Sequence, residues 1–308
     1  MTLIAYLDAS GSAIDPKVRV LSVSGFMARA NDWAAFANEW QSILDRFKVT
    51  ELHMRDYAHS RGEYAGWKGN EERRGAFLAE LTAVIKKNTL QSVGVTMPVG
   101  LYRLFNRDYC IKETIGVPYT MAVMGAIATT VEWRDRSGID ESLQFFIEKG
   151  DNEQGDFRRF MSDRIKWEED YIPLPTFMAK SSVDPDGRIR RVLPFQAADF
   201  IAYEHAKAWT DYMVHRKTQV RKSLQQVLKP IEDVPSGRTF WVLMLKSSFG
   251  KAMKNFKIPR RFTHAQQNQR VHPRWKAIPL GYIDLDHPVV GSIYGDGFID
   301  EDPEEMGL

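Results

Sequence analysis

Leu3-Ile4-Ala5-Tyr6-Leu7-Asp8-Ala9-Ser10-Gly11-Ser12 is a short apolar run that stops on an acid and a turn-forming cluster. The continuous run Leu3–Leu7 predicts a buried strand. Asp8 then falls at its carboxyl end, the rim where open α/β sheets place ligands. Working outward, Arg19–Ala28 has the mixed alternation of a second strand, antiparallel to the first. Trp33, Phe36, Trp40, Ile43, Leu44 and Phe47 recur at helical spacing behind Asn31 and Asp32, a pair that reads as an N-cap. After the polar, Gly-containing stretch Glu51–Asn70, Glu71–Lys87 predicts a second amphipathic helix. Leu90–Met97 reads as a strand, Val117–Arg134 as a helix, Leu143–Glu148 as a buried strand and Asp156–Glu169 as a helix. Thr176–Ser182 reads as a strand, Asp184-Pro185-Asp186-Gly187 as a turn, and Pro194 as the first position of a helix running to about Val214. Strands alternating with helices predict an α/β layered domain over residues 1–215.

The composition is that of an ordinary globular chain. Of 308 residues, 44% are hydrophobic and 27% charged, which excludes collagen, a disulfide miniprotein and wholesale disorder. The one cysteine, Cys110, cannot form an internal disulfide, so nothing calls for an oxidising compartment. The N-terminus lacks a basic n-region, and Val117–Val131 is shorter than a spanning helix, so the expectation is a cytoplasmic protein with no membrane contact. The net charge of +2 is a cancellation. Residues 216–276 hold fifteen of the 42 Lys and Arg but only two of the 40 acids, so that segment carries +13 and the remainder −11. A basic, partly helical extension over 216–298, packed on the first domain, and an acidic tail over 299–308 complete the expected organisation.

Three acids stand where chemistry is concentrated. Asp8 ends the first strand, and Glu148 ends Leu143-Gln144-Phe145-Phe146-Ile147-Glu148, followed by Lys149-Gly150-Asp151. Asp199 interrupts an otherwise apolar, small-residue helix, where Ala197, Ala198 and Ala202 would allow close approach to the sheet. Gln196, Asp199 and Tyr203 share one face of it. Acids brought together need a cation, and Mg²⁺ or Mn²⁺ takes hard oxygen ligands of this kind. Each acid alone also has a plainer reading: a turn or cap residue for Asp8, an ion-pair partner for Glu148, a solvated position for Asp199. His53 suits a general acid or base with Asp56 orienting the ring, or equally a loop histidine bonded to backbone. No zinc-ligand set, Walker loop or dinucleotide fingerprint is present in the sequence.

The order of these blocks is similar to a known family. Tyr6-Leu7-Asp8-Ala9-Ser10-Gly11, Glu51-Leu52-His53-Met54-Arg55-Asp56, Phe146-Ile147-Glu148-Lys149-Gly150-Asp151 and Leu193-Pro194-Phe195-Gln196-Ala197-Ala198-Asp199-Phe200-Ile201-Ala202 resemble, in sequence, a bacterial family catalogued as domain of unknown function thirty-eight hundred. The resemblance implies a ribonuclease H-like mixed sheet flanked by helices. It also implies that Asp8, Glu148 and Asp199 bind Mg²⁺ or Mn²⁺, with Asp151 as an alternative to Glu148. One position departs: the family's Glu after the first Asp is Ala9 here.

The function expected is metal-dependent hydrolysis of nucleic-acid phosphodiesters, with Asp8, Glu148, Asp199 and His53 catalytic. Arg216, Lys217, Arg221, Lys222, Lys254, Arg260 and Arg261 would hold the substrate backbone, the first four of them on about two turns of helix. Phe249, Phe256, Phe262 and Trp275 are interleaved as stacking residues or as core. The alternative is a nucleic-acid-binding or regulatory protein on the same fold with a decayed site, set in a bacterial defence or toxin system.

Overall fold

The computed structural model describes residues 2–15, 17–164, 174–215, 217, 219 and 221–228, and three short strands beyond them. Strand β1 (Thr2–Ser10) buries Leu3, Ala5 and Leu7 on one face and turns Ile4 and Tyr6 to the other, the two-residue period of a strand. β2 (Val20–Arg29) runs antiparallel beside it, with Asp8 opposite Ser24. Then come helices α1 (Ala30–Phe47), α2 (Met54–His59) and α3 (Glu71–Asn88), before β3 (Gln91–Pro98) pairs antiparallel with β2. Helices α4 (Val99–Asp108), α5 (Ile111–Thr114) and α6 (Pro118–Arg136) lead to β4 (Ser142–Glu148), parallel to β1. After α7 (Gln154–Arg164), β5 (Thr176–Met178) lies parallel to β4. The strands β6 (Ser181–Val183) and β7 (Ile189–Arg191) form a separate hairpin closed by Asp184, whose side chain accepts from the backbone N–H groups of Asp186 and Arg188. Helix α8 (Pro194–His215) and the short α9 (Lys222–Leu228) follow, and β8 (Phe240–Leu243) is parallel to β3. A pair of strands, β9 (Gly281–Ile283) and β10 (Val290–Ser292), lies outside this sheet. The sheet order is β5-β4-β1-β2-β3-β8, mixed in direction.

The two faces of the sheet are covered by different helices. On one, Phe26, Ala28 and Tyr6 pack with Trp33, Phe36 and Trp40 of α1 and Phe200, Ile201 and Trp209 of α8. On the other, Leu3, Ala5, Leu7, Val93 and Val95 pack with Tyr119, Val123 and Ile127 of α6. The first face also holds a buried polar chain. Ser22 Oγ lies 3.0 Å from both Ser24 Oγ and Thr96 Oγ1, and Ser24 Oγ is 2.9 Å from Nδ1 of His205 on α8. Gly94 faces Ser24 across the sheet, and a Cβ there would stand 2.2 Å from Ser24 Oγ, so only glycine leaves room for this bond.

The α/β alternation is as expected, and several details differ. β2 runs straight into α1, so Asn31 and Asp32 lie inside the first turn and no side chain caps it. Asp32 there complements the helix dipole instead. The polar stretch 51–70 contains α2 and a 3₁₀ turn, Gly62–Trp67, because Tyr57, Tyr64 and Trp67 are buried against Phe77 of α3. Residues 99–114, unassigned from the sequence, form α4 and α5 over a satellite core of Leu101, Tyr102, Phe105 and Ile111. β4 is buried on alternate positions rather than throughout. The strand expected over 176–182 breaks at Ala179 and Lys180 into two strands of different sheets. Helix α7 begins at Gln154, two residues early, and 165–169 lie outside the described residues. Most of the basic extension and the whole acidic tail also lie outside them. Among the described residues, no helix is long and apolar enough to cross a membrane.

Candidate active site

Tyr6 is the centre from which the site is built. Its ring stacks on Phe146 of β4 at 5.3 Å and meets Phe195 of α8 edge-on at 5.3 Å. Two residues along a strand, or four along a helix, return a side chain to the same face. Asp8 stands two residues beyond Tyr6, Glu148 two beyond Phe146 and Asp199 four beyond Phe195. One aromatic contact set therefore aligns all three acids, and their charges interact. Burial pushes Asp8 well above the usual carboxylate range, and the neighbouring Glu148 and Asp199 push it further. Asp199 is also raised by burial, opposed by Lys180, by the Met54 N–H and by His53.

The partners of each carboxylate are specific. Asp8 Oδ1 accepts from the Ala9 N–H at 2.7 Å, and Asp199 Oδ2 from the Met54 N–H at 2.7 Å. Glu148 Oε2 is buried and accepts no hydrogen bond, and the ammonium of Lys180 stands 3.5 Å from it as an ion-pair partner. Burial by itself would lower the pKa of Lys180, and Asp199, Glu148, Asp8 and Glu51 together raise it instead. Gln196, one turn before Asp199, fixes this end of α8. Its Oε1 accepts from Trp40 Nε1 and from the Leu52 N–H, both at 2.8 Å.

His53 caps α2, and its Nδ1 lies 2.9 Å from Asp56 Oδ2. That hydrogen bond is the main reason the Asp56 carboxyl sits below its ordinary range. The field of His53 reaches Asp199, so the Glu51–Asp56 segment borders the three acids. Glu51 itself pairs with Arg191 of β7 at 3.4 Å.

Asp151 has other company. Its Oδ1 accepts from the Glu153 N–H at 2.8 Å, within the loop that leads to α7. Glu153 is buried, and desolvation first, then Asp151 and Asp156, lift its pKa to about 7.

The basic residues expected to hold substrate do not share a helix. α8 ends at His215, Lys217 is exposed beyond it, and Lys222 opens α9. Arg221, directly before α9, turns back onto α8, where its Nη1 lies 3.2 Å from Oε1 of the fully buried Glu204. Arg216, Lys254, Arg260 and Arg261 lie outside the described residues, as do Phe249, Phe256, Phe262 and Trp275.

Lys180 is absent from the sequence reading, and Glu51 enters it only as the head of the Glu51–Asp56 block, with no role of its own. Lys180 has no motif around it, and its one signal is register: Met178, two residues earlier, is the partner of Glu148 in the sheet. The hairpin β6–β7 was foreshadowed only by its turn. It carries Arg188, Arg190 and Arg191, of which Arg191 pairs with Glu51, and exposes Val183 and Ile189.

Hard carboxylate oxygens, one of them buried without a hydrogen-bond donor, fit a divalent cation in kind. Among the described residues, no three or more His, Cys, Asp or Glu side chains are grouped closely enough to hold a metal ion as they stand. The acids are neighbours in one field, with an ammonium among them. No family model, curated protein or solved structure matches the chain.

Proposed function

We propose that the protein is a metal-dependent phosphodiesterase acting on nucleic acid, with a ribonuclease H-like sheet as its frame. The observation that carries the proposal is the convergence of Asp8, Glu148 and Asp199 from two strand ends and a helix, aligned through Tyr6, Phe146 and Phe195, with Asp8 raised by burial and by the two other acids. The topology supports it: antiparallel β1, β2 and β3, then β4 and β5 parallel to β1, accord with a ribonuclease H-like order carrying a helical insertion after β2.

On this reading Asp8, Glu148 and Asp199 hold Mg²⁺ or Mn²⁺, whose Lewis acidity stabilises charge on a phosphoryl oxygen. Met54 and Ala9 N–H groups each occupy one carboxylate oxygen and so orient the acids. Asp56 fixes the His53 ring through Nδ1, which leaves Nε2 to exchange a proton with water or the leaving oxygen. The arginines of the β6–β7 hairpin and the +13 segment over 216–276 attract the polyanion. A second reading, nucleic-acid binding without turnover, rests on Ala9, where the resembling family has an acid.

The test is cleavage of labelled single- and double-stranded DNA and RNA with Mn²⁺ or Mg²⁺ and with chelator. Metal-dependent cutting that is lost in folded Asp199→Asn and Asp8→Asn supports the first reading. Salt-sensitive binding with no cutting supports the second. Cutting that persists in chelator, or in folded Asp199→Asn, removes the assignment of these acids.

A further inference from the structure

We propose that Lys180 takes the place of a second metal ion, so that this site accepts a single divalent cation. The inference rests on the metal-binding reading above and specifies its stoichiometry. Charges in an enclosed site must be matched, because an uncompensated buried carboxylate is costly and instead takes up a proton or a cation. The other charged groups bordering the site are already matched or solvated. Glu51 has Arg191 at 3.4 Å, and the Asp56 carboxylate, hydrogen-bonded to His53 at 2.9 Å, is open to solvent. Three carboxylates remain, those of Asp8, Glu148 and Asp199, and Lys180 acts on all of them.

Lys180 supplies one positive charge and a divalent ion supplies two, which brings the set to neutrality. A second divalent ion would leave the pocket with an excess of two positive charges before any substrate arrives, and would have to compete with an ammonium for Glu148. Geometry assigns the places. The Lys180 ammonium lies 3.5 Å from Glu148 Oε2, at the β4 side of the cluster. The Ala9 N–H donates to Asp8 Oδ1 and the Met54 N–H to Asp199 Oδ2, so these two carboxylates are oriented by backbone donors and not by the ammonium that pairs with Glu148. Lys180 reaches this position because β5 ends at Met178 and the chain leaves its ladder before β6 begins at Ser181.

The experiment counts bound Mn²⁺ on the metal-free full-length chain, by calorimetry and by the electron paramagnetic resonance signal of free Mn²⁺. Asp199→Asn defines which ions belong to the site. One Asp199-dependent ion is expected in the wild type and in Lys180→Arg, and two in Lys180→Met. A merely structural role for Lys180 would instead lower the Mn²⁺ count in Lys180→Met. Two Asp199-dependent ions in the wild type, or one or none in a folded Lys180→Met, overturns the inference while leaving the metal reading intact. If neither wild type nor Lys180→Met takes up any Asp199-dependent Mn²⁺, the metal reading itself fails. The wild-type count decides the matter even if Lys180→Met does not fold.

Discussion

The ammonium of Lys180 stands 3.5 Å from Oε2 of Glu148, tying the link between β5 and β6 to the last residue of β4. Glu148 pairs with Met178 across these strands, so the ion pair joins Glu148 to the residue two positions beyond its own partner in the sheet. Both side chains are about four-fifths enclosed, with 20% and 21% of their surface exposed. In such a place the charge of Lys180 is screened weakly, and it sets the electrostatic state of the neighbouring acids.

Opposite stability changes are expected at the two signs of this cluster. Asp8→Asn removes a carboxylate that burial, Glu148 and Asp199 all disfavour, and its amide oxygen can still accept from the Ala9 N–H. The metal-free protein should gain about 1–2 kcal/mol. Lys180→Met leaves the acids without their ammonium and should cost about 3 kcal/mol. Urea denaturation in chelator at pH 7.5 checks both, and a gain from Lys180→Met would mean that the acids are not ionised together.

The aromatic base beneath the acids should couple stability to the site. Phe146→Ala removes the ring stacked on Tyr6 at 5.3 Å. The loss is expected to be about 2–3 kcal/mol, below that of a fully buried ring because Phe146 is half-buried. Mn²⁺ affinity should fall with it, whereas Phe47→Ala, which removes contacts to Trp67 and Phe77 away from Tyr6, should lower stability and spare the affinity. Denaturation and Mn²⁺ titration on the two variants separate these outcomes.

Much of the site's frame was legible because strand ends and helix faces follow from periodicity. Leu3–Leu7 and Leu143–Glu148 are apolar runs ending in acids, and α8 carries one acid among alanines, so Asp8, Glu148 and Asp199 could be named from spacing alone. Their alignment through Tyr6, Phe146 and Phe195 was not readable, since it depends on which strands are neighbours. Lys180 was hidden for the same reason: its role is set by the β4–β5 register and by a chain break that no local residue announces. The helix over 99–108 was missed because Val99-Gly100-Leu101-Tyr102 mixes a glycine and a β-branched residue into its first turn, a weak helical signal that burial of Leu101 and Phe105 overrides. The expected caps Asn31 and Asp32 were misplaced by the direct passage from β2 into α1.

If the proposed nucleic-acid substrate is right, the β6–β7 hairpin offers a separate test of where it lies. Arg190 is engaged by Asp184 at 3.1 Å and Arg191 by Glu51 at 3.4 Å, while the exposed Arg188 projects from the turn with its N–H, not its guanidinium, held by Asp184. Arg188→Glu should therefore keep the hairpin and weaken nucleic-acid binding several-fold, with the salt slope reduced by about 1 if one phosphate contact is lost. Fluorescence anisotropy over a range of salt concentrations measures both, and an unchanged slope would detach the hairpin from the substrate path.

Glu153 gives the protein a stability step near neutral pH. Its carboxyl is lifted from an ordinary 4.5 to about 7, first by desolvation and then by Asp151 and Asp156. A raised acid pKa means that the folded protein keeps this proton over a range in which the unfolded chain has released it. This contribution is therefore present below pH 4.5 and is lost as the pH rises through 7. The full shift would correspond to about 3 kcal/mol, reduced to roughly 1–3 kcal/mol by solvent near the loop. Glu153→Gln keeps the shape and removes the ionisation, so it should stabilise the protein by that amount at pH 8 and leave it nearly unchanged at pH 4.5. The comparison is of variant against wild type at each pH, because His205, pushed down to about 3 by burial, drives the wild type the other way in acid. That histidine stays neutral in the fold while the unfolded chain is protonated, so both proteins should lose stability alike below pH 6.5. Chemical denaturation from pH 4.5 to 8.5 should show two curves that run together in acid and separate between pH 5 and 8. If they stay parallel throughout, Glu153 is not the group that titrates.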